Sequence, residues 1–314
     1  MPVSIDEFSK NSMGGTERMK FGLQERISPD ILDKFLIICS RVREMDSSLI
    51  PIYWLHDLAE DPESAHLKAG GWNKFKKMIF VSNWQMQQYI KHFNMPWYKC
   101  QVIQNAIEPI PLIKKSSDKI KLIYHTTPHR GLNILIPVFS KLVEKYDNIE
   151  LDIFSSFEIY GWKERDKEFE ALFDVCRSHP KINYHGFQSN EVVRKALQEA
   201  HIYAYPSIWP ETSCISLMEA MSAGCLCVHP NFAALFETAS NFTWMYQFQE
   251  DPRDHMSFFY FMLDDAITRI NDENVQTSLA YSKNYIDTFY NWDRIATEWT
   301  GLLTSLLPKD SKNK

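Results

Sequence analysis

Two carboxylates eight residues apart, Glu211 and Glu219, sit inside the string HIYAYPSIWPETSCISLMEAMSAGCLCVHP, residues 201–230, where the sequence says most about chemistry. Paired carboxylates can cleave a glycosidic bond by acid–base or nucleophilic catalysis, but that needs them roughly 5 to 9.5 Å apart across one bond. Eight residues of helix rise about 12 Å. With Glu211 in a proline-flanked loop, the pair is better placed to grip two parts of one elongated ligand. An ionised carboxylate is acceptor-only and takes two hydroxyl donors at once. The plainer reading makes Glu219 an exposed helix residue and Glu211 a charge that complements a helix dipole.

The elements around the pair follow from the residues. Positions 202–205 are short, apolar and aromatic, as a buried strand should be, and Pro206 and Pro210 bracket a loop that is neither helix nor ladder. Ser213 is a good N-cap for a helix over 214–222, Gly224 stands where a left-handed C-cap would, and 226–228 reads as the next buried strand. The helix N-terminus then opens at the carboxyl edge of a parallel sheet. Free backbone N–H groups and the positive end of the dipole favour a phosphate there.

Further buried strands are expected over 34–40, 50–55, 78–82, 120–126 and 149–156, with a charged helix over 160–180. Gly14 and Gly15 open a helix after a segment with little strand signal; such a pair permits close approach to a ligand, and a capping turn explains it equally well. His56 follows the strand over 50–55 and so lies on the ligand edge of its sheet, as a site residue or as a capping histidine. Residues 109–119, PIPLIKKSSDK, have the composition of an interdomain linker.

The string from Pro210 through Glu211 and Glu219 to Gly224 closely resembles the donor-sugar motif of the retaining family-four glycosyltransferases, and the resemblance spans nearly the whole chain. It implies the GT-B fold: α/β, two Rossmann-like domains facing across a cleft, the first reduced here. The divisions would be an acceptor-side domain over 1–112, a nucleotide-sugar domain over 113–285, and a C-terminal helical segment over 286–314 crossing back to the first domain. By this resemblance Glu219 holds the ribose hydroxyls and Glu211 faces the transferred sugar, next to His56. Arg130 of Arg130-Gly131 meets the diphosphate, where the family commonly has lysine-glycine. Thr126 or Thr127 replaces a second basic residue. Gly14, Gly15, Gly131, Thr212, Ser213 and Cys214 line the donor, and Gly186 and Phe187 meet the base. The implied activity is hexosyltransferase-like transfer from a nucleoside-diphosphate sugar to a glycan or other hydroxyl acceptor, retaining and metal-independent, with no cofactor. A non-catalytic nucleotide-sugar-binding module is the alternative.

Composition sets the outer bounds. A chain of 314 residues has two domains as its natural count, and 45% hydrophobic residues suffice for two cores. A net charge of −6 argues against nucleic acid as main partner. No apolar run approaches the ~18 residues of a membrane span, and the first residues do not read as a signal peptide. The lysines of GGWNKFKKM leave peripheral membrane contact open beside an ordinary solvated face. The six cysteines lack metal-site spacing and read as free buried thiols of a reducing compartment, the cytoplasm.

Overall fold

A computed structural model describes residues 13–42, 45 and 48–308 of the protein. In chain order the elements are α1 (Gly15–Arg26), α2 (Pro29–Leu32), β1 (Phe35–Cys39), β2 (Ile50–Leu55), β3 (Lys77–Phe80), α3 (Asn83–Phe93), β4 (Cys100–Val102), β5 (Ile120–Tyr124), α4 (Leu132–Val143) and β6 (Ile149–Ile153). They continue with α5 (Glu170–Ser178), β7 (Ile182–Tyr184), α6 (Asn190–Glu199), β8 (Ile202–Ala204), α7 (Ile215–Ser222), β9 (Leu226–Pro230), α8 (Leu235–Ala239), β10 (Trp244–Tyr246), α9 (Pro252–Arg269), α10 (Glu273–Phe289) and α11 (Trp292–Leu306). Two compact units result: Gly15–Ala106 with the described residues from Tyr290 onward, and Ile107–Phe289 with residues 13 and 14.

The first unit has a parallel four-stranded sheet in the order β1-β2-β3-β4. Every residue of β1 is buried, as a sheet covered on both faces requires. α11 packs here through Trp299, whose indole meets Trp54 of β2 edge-on at 4.8 Å. Gly22 of α1 leaves room for the ring of Trp292, which a Cβ at that position would meet at 2.1 Å.

The second unit has six parallel strands in the order β7-β6-β5-β8-β9-β10. Numbered within the unit this is 3-2-1-4-5-6, the Rossmann order, in which strand order reverses between β5 and β8. These two strands pair through Leu122 with Ile202 and Ile123 with Tyr203. The loops that leave their carboxyl ends therefore start side by side at the switch point, the usual ligand position of such sheets.

Several expectations shift. The strand expected over 78–82 ends at Phe80, because Ser82 instead caps α3 by accepting from the Gln85 N–H at 3.0 Å. The helix expected over 160–180 is broken into 3-10 turns at Phe157–Tyr160 and Lys163–Phe169 before α5 begins. Gly161 between them is left-handed at φ 72°, and Asp166 folds back to accept from the Ser156 hydroxyl and the Phe157 N–H at 2.5 and 2.7 Å. Residues 1–12, with their weak strand signal, lie outside the described residues. All six cysteines are free and buried, and among the described residues no helix is long and apolar enough to cross a membrane.

Candidate functional site

The switch point of the second unit brings Arg130 and Glu211 together. After β5 the chain makes a 3-10 turn, Pro128–Arg130, then Gly131 at φ 122°, where α4 begins. A Cβ on Gly131 would stand 2.2 Å from the Pro206 carbonyl oxygen in the loop after β8. The absent side chain lets the two loops touch.

Across this contact Arg130 donates to Glu211 Oε1 in an ion pair, and the Tyr205 hydroxyl donates to the same oxygen. Arg130 Nε donates to the Thr127 hydroxyl at 3.1 Å, and its guanidinium lies 5.8 Å from the centre of the Trp209 ring. The Arg130 and Glu211 side chains keep 19% and 8% exposure, so neither is a free surface charge. Burial works against the arginine's charge, yet the carboxylate beside it holds its pKa well above the usual range. Tyr205 is fully buried, which raises its pKa far enough to keep it a donor.

Glu219, on α7, is 2% exposed, contrary to the plainer reading. Asn190 Nδ2 donates to its two oxygens at 3.1 and 3.4 Å, and Arg194 approaches Oε1 at 3.4 Å. Arg194 is itself held by the carbonyls of Glu108 and Pro109. The two glutamates thus have separate polar partners.

Between them Cys214, rather than Ser213, caps α7, and no side chain completes the cap. The helix begins one residue later than expected. Burial pushes the Cys214 thiol up to about 12, so it remains a protonated packing group beside Ser216 Oγ at 3.2 Å. Thr212 and Ser213 are half-buried in the same loop. Gly186 follows β7 at φ 63° with open space where a Cβ would point, so its backbone conformation is the reason for glycine. Phe187 beside it is half-buried.

Gly15 and His56 belong to the first unit, while Gly14 is buried and groups with the second. His56 packs 4.8 Å from the Trp54 ring, and burial lowers its pKa to about 4 although bonds to the Trp54 backbone and the Asn105 side chain oppose this. It is neutral at pH 7. No group of three potential metal-ligating side chains occurs among the described residues. A depression of about 350 Å³ lined by Ile110, Asn190, Arg194 and their neighbours holds none of the residues singled out from sequence.

Sequence reasoning missed Tyr205, Asn190 and Arg194. Tyr205 passes for one more apolar strand residue, and nothing local marks the other two as partners of Glu219.

Residues 104–243 match the family described as glycosyl transferases group 1. No curated protein matches the chain in sequence. Among solved structures, a glycosyltransferase from Rickettsia africae aligns at 15% identity and TM-score 0.68, over 96% of this chain and 84% of that one. HepE from Anabaena, solved with UDP-glucose, aligns at 15% identity and TM-score 0.65, over 86% and 79%. Sucrose-phosphate synthase from Thermosynechococcus elongatus aligns at 14% identity and TM-score 0.63, over 86% and 73%. At such identities the likeness is one of fold. With the group 1 match over 104–243 and two Rossmann-like units, the chain resembles the family-four glycosyltransferases and has the GT-B fold.

Proposed function

We propose that the protein transfers a sugar from a nucleoside diphosphate to a hydroxyl acceptor with retained anomeric configuration. The observation that carries this reading is Arg130 and Glu211 meeting at the switch point of a Rossmann sheet, where the helices after β5 and β8 begin. Helix starts direct unpaired N–H groups at an anion, and Gly131 supports close backbone approach. Glu219, oriented by Asn190 and Arg194, is assigned to the ribose hydroxyls, and Glu211 to the transferred sugar.

In the proposed step the bond from the anomeric carbon to the diphosphate oxygen breaks while the acceptor oxygen bonds to that carbon on the same face. The acceptor proton passes to the departing phosphate, so no protein nucleophile is required. The protein supplies orientation and charge stabilisation. Arg130 and the helix ends provide that charge in this reading, and transfer survives EDTA.

The binding-module reading has one observation in its favour: Arg130 is already neutralised by Glu211. A thermal-shift screen against uridine, guanosine and adenosine diphosphate sugars finds the donor, because binding to the folded state raises the midpoint. The fold relative solved with UDP-glucose makes uridine donors the first to try. Release of nucleoside diphosphate in the presence of acceptor supports transfer. Donor binding without release across a broad acceptor panel overturns it and leaves the module.

A further inference from the structure

Charge is unevenly spread along this acidic chain. It carries 40 acidic residues in 314, yet none between Glu63 and Glu108, a stretch that holds six lysines and no arginine. None of those lysines makes an ion pair among the described residues.

The fold of the first unit brings five of these lysines to the amino edge of its sheet: Lys74, Lys76 and Lys77 where β3 begins, Lys91 near the end of α3 and Lys99 where β4 begins. Met78 of β3 pairs with Cys100 of β4, so Lys77 and Lys99 enter the sheet side by side. Lys77 Nζ donates to the Tyr98 carbonyl at 2.9 Å and Lys99 Nζ to the Phe75 carbonyl at 2.7 Å, which fixes both chain segments. Burial, and then the charges of Lys76 and Lys77, lower the Lys99 pKa, as crowded cations do. Lys74, Lys76 and Lys91 are exposed around them.

Two aromatic rings project from the same edge. α3 ends at Asn94 in the left-handed conformation, φ 51°, Met95 anchors the turn at 3% exposure, and Pro96 fixes the next backbone angle. Trp97 and Tyr98 follow at 62% and 71% exposure, among the most exposed large side chains of the protein. An apolar ring with a polar tip suits the boundary between lipid headgroups and acyl chains, and lysines extend from such a boundary toward headgroup phosphates. Nucleic-acid phosphate is more often recognised by arginine, whose planar fork binds it bidentately. The acidic remainder of the chain does not prevent contact, since charges more than about 8 Å away are screened at physiological salt.

We infer that this edge docks on an anionic lipid surface, with Trp97 and Tyr98 entering the interface and Lys74, Lys76, Lys77, Lys91 and Lys99 facing the headgroups. His56 lies at the opposite, carboxyl edge of the same sheet, away from the docked edge. The inference is independent of the reaction proposed above.

Sedimentation with phosphatidylcholine vesicles, with and without phosphatidylserine, tests it on the whole chain. The protein is expected to pellet with the anionic vesicles and not with the neutral ones. Each lysine near such a surface is worth about fivefold in partitioning. The variant Lys74→Gln/Lys76→Gln/Lys91→Gln, in which none of the three side chains gives up a hydrogen bond or ion pair within the described residues, should therefore lose about a hundredfold. Lys76→Gln alone should lose about fivefold and carries the test if the triple variant misfolds. Trp97→Ala should abolish the binding that survives at roughly 1 M salt, where charge is screened within about 3 Å. Donor-induced thermal shifts should be unchanged throughout. Wild-type protein left in the supernatant, equal binding to neutral vesicles, undiminished binding by the lysine variants, or displacement from vesicles by a single-stranded RNA would each overturn the proposal.

Discussion

Arg130 and Glu211, 81 residues apart, close the switch point of the second sheet by a single ion pair, with Tyr205 donating to the same carboxylate oxygen. The pair is largely shielded from water. Removing one member of such a pair strands the other charge, typically at about 3–5 kcal/mol, whereas removing both leaves no charge stranded. Glu211→Ala should therefore lower the thermal midpoint more than Arg130→Ala/Glu211→Ala does. A double variant whose loss equals the sum of the single losses would show that the pair carries no coupling.

The same arginine separates catalysis from binding. In the proposed transfer, negative charge grows on the leaving oxygen, and a cation aimed there stabilises the transition state more than the bound substrate. Arg130→Ala should cut turnover about 10²- to 10³-fold with a smaller loss of donor affinity. Arg130→Lys should recover part of it, since the charge stays and only the fork is lost. Turnover that follows affinity one for one would remove Arg130 from the reacting centre.

The separate partner sets of the glutamates predict separate phenotypes. Glu219→Ala should weaken donor and free nucleoside diphosphate alike, by about 1.5 to 3 kcal/mol for a charged hydrogen bond. Glu211→Ala should spare the free nucleotide, provided binding is measured below its lowered midpoint. Calorimetric titration of both variants decides this, and equal loss of nucleotide affinity refutes the division.

Whatever depends on near neighbours in the chain could be read from sequence. β2 falls on the expected residues, 50 to 55, and Gly224 is left-handed after α7 as a C-cap glycine should be. What the sequence hides is contact at a distance. The Arg130–Glu211 pair depends on two strands that become neighbours only in the folded sheet. Tyr205 looks apolar until its hydroxyl finds Glu211. Asp166 breaks a helix by reaching Ser156 and Phe157, a choice that helix propensity does not record.

Gly131 tests how far the site depends on loop contact. Its φ of 122° disfavours any L side chain, and the atom a Cβ would strike is backbone, the Pro206 carbonyl. Gly131→Ala should cost at least about 1–3 kcal/mol and separate the loops that bring Arg130 to Glu211. A variant with unchanged midpoint and unchanged donor binding would show that the contact is dispensable.

Three histidines make the protein sensitive to mild acid. Burial lowers His56, His129 and His229 each to about 4, with Arg130 and Arg165 adding to the effect at His129. In the unfolded chain such groups titrate near 6.5. Between the two values the unfolded state binds more protons, so stability is full above about pH 6.5 and falls as pH drops toward 4, by up to about 1.4 kcal/mol per pH unit for each histidine. His129 isolates one contribution. Its ring stacks on Phe157 at 5.1 Å, and its Nδ1 has no hydrogen-bond partner among the described residues. His129→Phe keeps the stack, removes the proton site and should make the fall in thermal midpoint between pH 7 and pH 5 shallower. An identical pH slope in the variant would mean that His129 remains protonatable in the folded protein, and that its burial does not set its charge.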